Sequence, residues 1–248
     1  MRRFLSMVWF HLKLYVQNSY FVWLPITSTA SVLLLQYLAA YAQQDGFSCD
    51  IWLRAAIFGL WSSCTTAAGV IHYQRFQGTL RYLLHNGIGD RITLAALIVP
   101  ASVFGSISFP IAWVGATLLG LPTELLSPTQ IFGIFCYWLG CLVLDFLIAG
   151  FFVLTHNAIL YEELIFIPLL LLAGVLPVPT AWEPIRAWFD WILPIGSATK
   201  LVLGSAANPW FLLVQFCVST VLLGGIAYWL SSKILRAAHK NGEVSVLV

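Results

Sequence analysis

Six stretches of this chain run for about twenty residues with few charges, the length a helix needs to cross a hydrocarbon layer about 30 Å thick. They cover residues 21–41, 51–71, 92–119, 130–154, 160–177 and 210–230. A soluble domain has no use for so many apolar runs, because only a small part of its helical surface faces a core. The composition agrees. Charged residues make up 9% of the chain and hydrophobic ones 60%, against a charged share of about 25% in soluble domains. The mean hydropathy is +0.88. Lipid is therefore the expected solvent, and the fold class is an all-α membrane protein with six transmembrane helices. The third span holds Pro100 and Pro110 and should kink.

Net charge is only +2, too small for nucleic acid to be a partner; the placement of the charges matters more. With both termini on one side, that side collects Arg2, Arg3, Lys13, Arg75, Arg81, Arg91, Lys233, Arg236 and Lys240, leaving Arg54, Arg186 and Lys200 opposite. The bias puts both termini in the cytoplasm of a cell (inner) membrane. Residues 1–20 have no small-residue cleavage site, and His11, Lys13, Gln17 and Asn18 interrupt the apolar run, so no cleavable signal peptide is expected. The five cysteines are scattered without a C-x-x-C pair, which argues against a metal site.

Three segments lie outside the spans. Residues 1–20 alternate apolar and polar groups at helical spacing, with Phe4, Val8 and Leu12 on one side and Arg3, His11 and Lys13 placed to reach headgroups. This reads as an interfacial helix. Residues 179–209 hold Trp182, Trp188 and Trp191 beside Glu183, Arg186 and Asp190. A short amphipathic helix over 182–192, a break at Pro194 and Gly196, and a second short piece would make a hairpin dipping into the outer leaflet. The third segment, residues 72–91, contains "QRFQGTLRYLL". The segment could be a loop that only sets topology; read as one helix, Phe76, Leu80, Leu83 and Leu84 share a side, fit either to rest on lipid or to dock in a partner's groove.

The layout resembles the membrane (permease) subunit of a type 2 ABC exporter over nearly the whole chain. The match is most specific at Gly78, Thr79, Leu80, Leu83 and Leu84, and again in the proline-rich end of span five, "FIPLLLLAGVLPVPTAWEPIRAWFDWILP". Arg81 stands where the family usually has glutamate, and Gln77 where it has a charged residue. The resemblance implies a coupling helix between spans two and three, with Arg75, Phe76, Gly78, Thr79, Leu80, Arg81, Leu83 and Leu84 meeting an ATPase. It also implies short re-entrant helices between spans five and six. Two copies of an ABC ATPase subunit and a second permease subunit, identical or homologous, would be the partners. The chain has no G-x-x-x-x-G-K-[ST] loop, so ATP and Mg would bind on the ATPase. No cofactor is expected on this chain.

Asp145 falls well inside span four, where an isolated charge costs at least about 2.5 kcal/mol. It should face protein, as a substrate contact or as a polar clasp between helices. His156, Glu162 and Glu163 cluster at the inner end of spans four and five, either lining a vestibule or clamping Arg75, Arg81 and Arg91. Phe166 and Gly174 of span five, with Ala67, Ala68 and Gly69 of span two, are candidates for a pathway lining. No catalytic motif is present, neither H-E-x-x-H nor G-x-S-x-G, so an enzyme is not expected. The expected function is export of a hydrophobic or amphipathic substrate by a permease subunit. The rivals are a membrane sensor or assembly protein that recruits a cytosolic partner, and an intramembrane lipid enzyme.

Overall fold

A computed structural model describes residues 2–44, 46–79, 82, 89–154, 158–176, 180–205 and 208–241. Among them every regular element is helical. In chain order these are α1 (Arg2–Gln17), α2 (Ser19–Gln43), α3 (Ile51–Phe76), α4 (Asp90–Phe104), α5 (Ser108–Leu118), α6 (Pro128–Leu154), α7 (Ala158–Leu172), α8 (Glu183–Phe189), α9 (Pro194–Val202) and α10 (Pro209–Asn241). Short 3₁₀ turns join α4 to α5 and precede α8.

Among the described residues four helical segments are long and apolar enough to cross a membrane: Ser19–Gln43, Ile92–Leu118, Pro128–Ala149 and Pro209–Ser231. Their outward faces carry large apolar side chains that water would not tolerate, such as Leu35 at 66% and Val221 at 73% exposure. The protein is membrane-embedded, with lipid as the solvent of those faces.

The other two expected spans are helices that fall short of that standard, for different reasons. Helix α7 has 15 residues, about 22 Å at 1.5 Å per residue. Helix α3 has 26 residues but carries Arg54 and a polar run, Ser62, Ser63, Cys64, Thr65 and Thr66. Its burial explains the composition. No described side chain from Ile51 to Val70 is exposed, because α2, α4, α5, α6 and α7 all pack on it. A helix enclosed by other helices needs small side chains that let backbones approach. One hydrogen bond shows this closeness, from the Ser63 hydroxyl to the Ala101 carbonyl at 3.0 Å.

The kink expected in the third span is a 3₁₀ turn, Gly105–Ile107, between α4 and α5. It falls between the two prolines. Pro110 has no N–H for the Ser106 carbonyl, so the chain tightens there instead of continuing the α ladder.

Two clusters of buried side chains make the core. One joins α3, α6 and α9 through Ile57, Leu60, Tyr137, Ile195 and Val202. The other joins α1, α3 and α4 through Tyr15, Ala67, Val70, Leu97 and Ile98. Helix α1 is fixed by this second cluster, and the Tyr15 hydroxyl donates to the Leu97 carbonyl at 3.3 Å.

Two sequence expectations need correction. His11 is buried at 3% exposure, not placed at headgroups. It lies seven residues after Phe4 and four before Tyr15, which puts it on the inward face of α1, stacked on Tyr15. The single helix expected through residues 72–91 is interrupted: α3 ends at Phe76 and the chain turns at Gly78.

Candidate functional site

The turn at Gly78 begins the segment richest in candidate contacts. Gly78 has φ +70°, the left-handed conformation that glycine adopts without strain. The Thr79 amide reaches back across it to the Gln74 carbonyl at 3.0 Å. That is the six-to-one bond of a Schellman helix stop, and the Thr79 hydroxyl adds a second bond to the same carbonyl at 3.1 Å. Among the described residues nothing comes within 4 Å of where a Gly78 side chain would begin. Backbone angle, not crowding, requires glycine here. The Gly-Thr pair therefore ends α3 and redirects the chain.

Of the other residues assigned to this segment, Arg75 and Phe76 belong to the last turn of α3, and their side chains lie outside those described. Leu80, Arg81, Leu83 and Leu84 lie outside the described residues altogether, while Tyr82 between them is helical and 79% exposed. His156 also lies outside. Glu162, Glu163 and Phe166 sit on α7, with side chains outside those described.

Asp145 is 1% exposed and faces protein. It shares a stripe of α6 with Tyr137 and Cys141, at spacings of four, and this stripe meets α3 at Cys64. Cys64, Tyr137, Cys141 and Asp145 are all buried, and the three side chains beside Asp145 lie within range of its charge. A polar strip so enclosed joins α3 to α6. Cys64, Tyr137 and Cys141 went unnoticed in the sequence as a set. The every-fourth-residue stripe was the available signal for two of them; the third comes from a helix 73 to 77 positions away. No group of metal-ligating side chains forms among the described residues.

A second polar site lies at the opposite end of the bundle from Gly78. Gly174 ends α7 with φ +72°. Arg54 of α3 donates to the Val175 carbonyl at 3.1 Å and to that of Gly174 at 3.5 Å, supplying partners for the carbonyls left over at a helix C-terminus. The Arg186 guanidinium lies directly over Gly174. Each arginine holds a carboxylate, Asp50 at 2.7 Å for Arg54 and Glu183 at 3.0 Å for Arg186. Burial opposes charge on Asp50, but hydrogen bonds from Ser48 and Arg54 outweigh it and hold the carboxyl below its ordinary value. Nearby, the Glu124 carboxylate first, then partial burial and the Asp50 charge, raise the Cys49 thiol above its usual value, which keeps it in the unreactive form. Cys49, Asp50 and Glu124 are among the residues around a hollow of about 90 Å³.

The two short helices α8 and α9 make up the segment expected as a hairpin; α9 packs on α6, while no residue of α8 is buried. At Gly140 the nearest neighbours are Pro194 and Ile195, and at Gly133 they are Leu201 and Val202. Gly140 stands twelve residues into α6, about 18 Å along it, while Gly133 is near its start. Helix α9 thus begins near the middle of α6 and runs back toward that helix's first turn. Pro194 opens α9 and has no N–H to leave unpaired. The buried Asp190 carboxylate lies against Gly196 in the first turn and pairs with Lys200. The hairpin carries its own charge balance into an apolar setting.

No protein-family model matches the sequence, no curated protein matches it, and no solved structure matches it.

Proposed function

We propose that this chain is the permease subunit of an ATP-driven type 2 ABC exporter, moving a hydrophobic or amphipathic substrate out of the cytoplasm or the inner leaflet. The observation that carries the reading is α9, which begins against Gly140 near the middle of α6 and runs back to Gly133 near that helix's start. A chain that only recruits a partner has no need to hold a short helix, with the buried Asp190 carboxylate paired to it, against the middle of its own bundle. Such irregular backbone is tolerated at depth when protein covers it, and Gly133 and Gly140 provide that cover.

In this reading α3, α7 and the four long apolar segments give six spans, with α1 along the cytoplasmic leaflet. The helix stop at Gly78–Thr79 turns the chain out of the membrane into the coupling segment that includes Leu80, Leu83 and Leu84. Energy arrives from two ATPase subunits that bind ATP and Mg. A second permease subunit, identical or homologous, completes the pathway, because the cores of one copy are filled by its own side chains. Asp145 serves here as the clasp between α3 and α6, given its enclosure with Cys64, Tyr137 and Cys141.

The test is co-purification from native membranes of the unchanged chain and a Leu80→Asp, Leu83→Asp double variant. An ATPase that accompanies the first and not the second supports the exporter. Equal membrane insertion with no ATPase in either sample overturns it and favours a sensor or a lipid enzyme.

A further inference from the structure

Helices α1, α4, α6 and α10 enclose a cavity of about 660 Å³, partly open to the surroundings and lined almost wholly by apolar atoms. Its walls include Phe4 of α1, Ala95 of α4, Phe146 of α6, and Gly224 and Ala227 of α10. Its volume falls in the range of about 300–1,000 Å³ typical of small-molecule sites. Four small residues, Ala95, Gly224, Ala227 and Ser231, leave room between its larger apolar walls. Among the described residues nothing lies within 4 Å of where a Gly224 side chain would begin. In membrane helices glycine usually lets a neighbouring backbone approach, and in the middle of a helix it is less favourable than alanine. At Gly224 no described neighbouring helix uses the space the glycine leaves.

Position and charge indicate what fills it. Val143 and Gly224 lie near the middle of α6 and α10, while Ile92, near the start of α4, and Ser231 line the cavity toward the end of the bundle where α1 lies. From Gly224 to Ser231 the wall of α10 is about 10 Å long, with Tyr228 and Ser231 supplying polar groups at the far end. Exposed Arg3 adjoins Phe4, and exposed Lys233 lies two residues beyond Ser231, its ammonium 4.0 Å from the Trp229 ring centre. Among the residues whose side chains are described, this end carries Arg3, Lys13 and Lys233 and no carboxylate. Basic groups at a leaflet surface attract anionic lipid headgroups.

We propose that this cavity binds one acyl chain of an anionic phospholipid, with the headgroup at the end of the bundle that carries Arg3 and Lys233. The site lies within one copy of the chain and does not depend on the exporter reading. An apolar hollow that opens among membrane-spanning helices is in contact with lipid tails, and a tail fills it without desolvating any polar group. The basic residues at its mouth then select the headgroup.

The full chain would be reconstituted in vesicles of three parts phosphatidylcholine to one part phosphatidylglycerol, extracted in mild detergent, and weighed by native mass spectrometry. The unchanged chain is expected to retain one phosphatidylglycerol. Gly224→Leu and Ala95→Leu fill the cavity from opposite walls and are expected to reduce the lipid-bound fraction at least tenfold. Gly225→Leu, next along the helix but outside the lining, should leave it unchanged. Arg3→Gln with Lys233→Gln should reduce the preference for phosphatidylglycerol several-fold while a lipid is still retained. An unchanged chain that carries no lipid, or filling variants that keep it, overturns the proposal. So does loss of a dimer, with lipid retention unaltered, in the filling variants, because the cavity would then receive a second copy.

Discussion

The Arg54 guanidinium donates to the Val175 carbonyl across 121 positions of sequence, so the first turn of α3 closes the last turn of α7. One side chain thus joins the most enclosed helix of the bundle to the entry of the α8–α9 hairpin. Arg54→Met keeps the aliphatic stem but leaves those carbonyls and Asp50 without their donor. A hydrogen bond to a charged group contributes about 1.5–3 kcal/mol, and thermal unfolding in detergent followed by circular dichroism should show a loss of that order. An unchanged midpoint would mean that solvent replaces the arginine at no cost.

Asp50, the partner of Arg54, makes the same joint sensitive to acid. Its carboxyl is held below the ordinary value in the fold, so between the two values the unfolded chain binds more protons than the folded one. Its contribution is fully present above the ordinary aspartate value of about 4 and is lost as pH falls through the lower, folded value. Unfolding midpoints measured from neutral pH down through this window should fall for the unchanged chain, and the fall should be smaller in Asp50→Asn.

His11 responds in the same direction for a different reason. Burial lowers its value below 6.5, so the folded state keeps the ring neutral while the unfolded chain takes up the proton first. The stability that comes from docking α1 is present above about pH 6.5 and declines as pH falls toward the folded value. Limited proteolysis of α1 at a series of pH values should show cleavage rising in mild acid. His11→Leu should remove the dependence, and if it persists in that variant another group is responsible.

Gly78 is required by its backbone angle alone. Gly78→Val places a branched residue at positive φ, at a cost of about 1–2 kcal/mol, although no neighbour within the chain obstructs it. Gly78→Asn should lose much less, because asparagine tolerates the left-handed region. Equal losses in the two variants, compared by thermal unfolding, would point to crowding and against the helix stop.

The seat of α9 distinguishes two glycines on one helix. A Cβ at Gly133 would stand 2.8 Å from the Val202 amide nitrogen, whereas one at Gly140 would meet only side-chain and backbone atoms at 3.4 Å or more. Gly133→Ala should therefore push α9 away and cost about 1–3 kcal/mol. Gly140→Ala makes ordinary contact and gains helix propensity, so it should be neutral or slightly stabilising. Reversal of that order would mean that α9 sits elsewhere on α6.

Much of the helical layout was legible in the sequence because length and apolar content alone set it. The starts of α2, α6 and α10 and the two short helices after residue 179 fall within a few positions of where hydropathy, proline and glycine place them. Hydropathy was less informative where a helix does not face lipid. It marked 51–71 as a span like the others, whereas the polar run from Ser62 to Thr66 belongs to a helix surrounded by helices. The face of α1 was legible in its spacing, yet treating His11 as a headgroup ligand because it is polar placed it on the wrong side. Contacts between distant elements left no local trace: Cys64 with Cys141, Arg54 with Val175, and Cys49 with Glu124 each join positions tens of residues apart. The Gly78–Thr79 pair carried a local signal, a glycine that stops a helix, that a motif reading passed over.

The enclosure of α3 also bears on how the chain is made. A segment with Arg54 at one end and hydroxyls through its middle gains little by entering lipid alone, since insertion rewards apolar surface facing hydrocarbon. Of the five helices that wall it, α2 alone precedes it in the chain, and the other four are made afterwards. Helix α3 therefore reaches its enclosed position only once α4 to α7 have emerged.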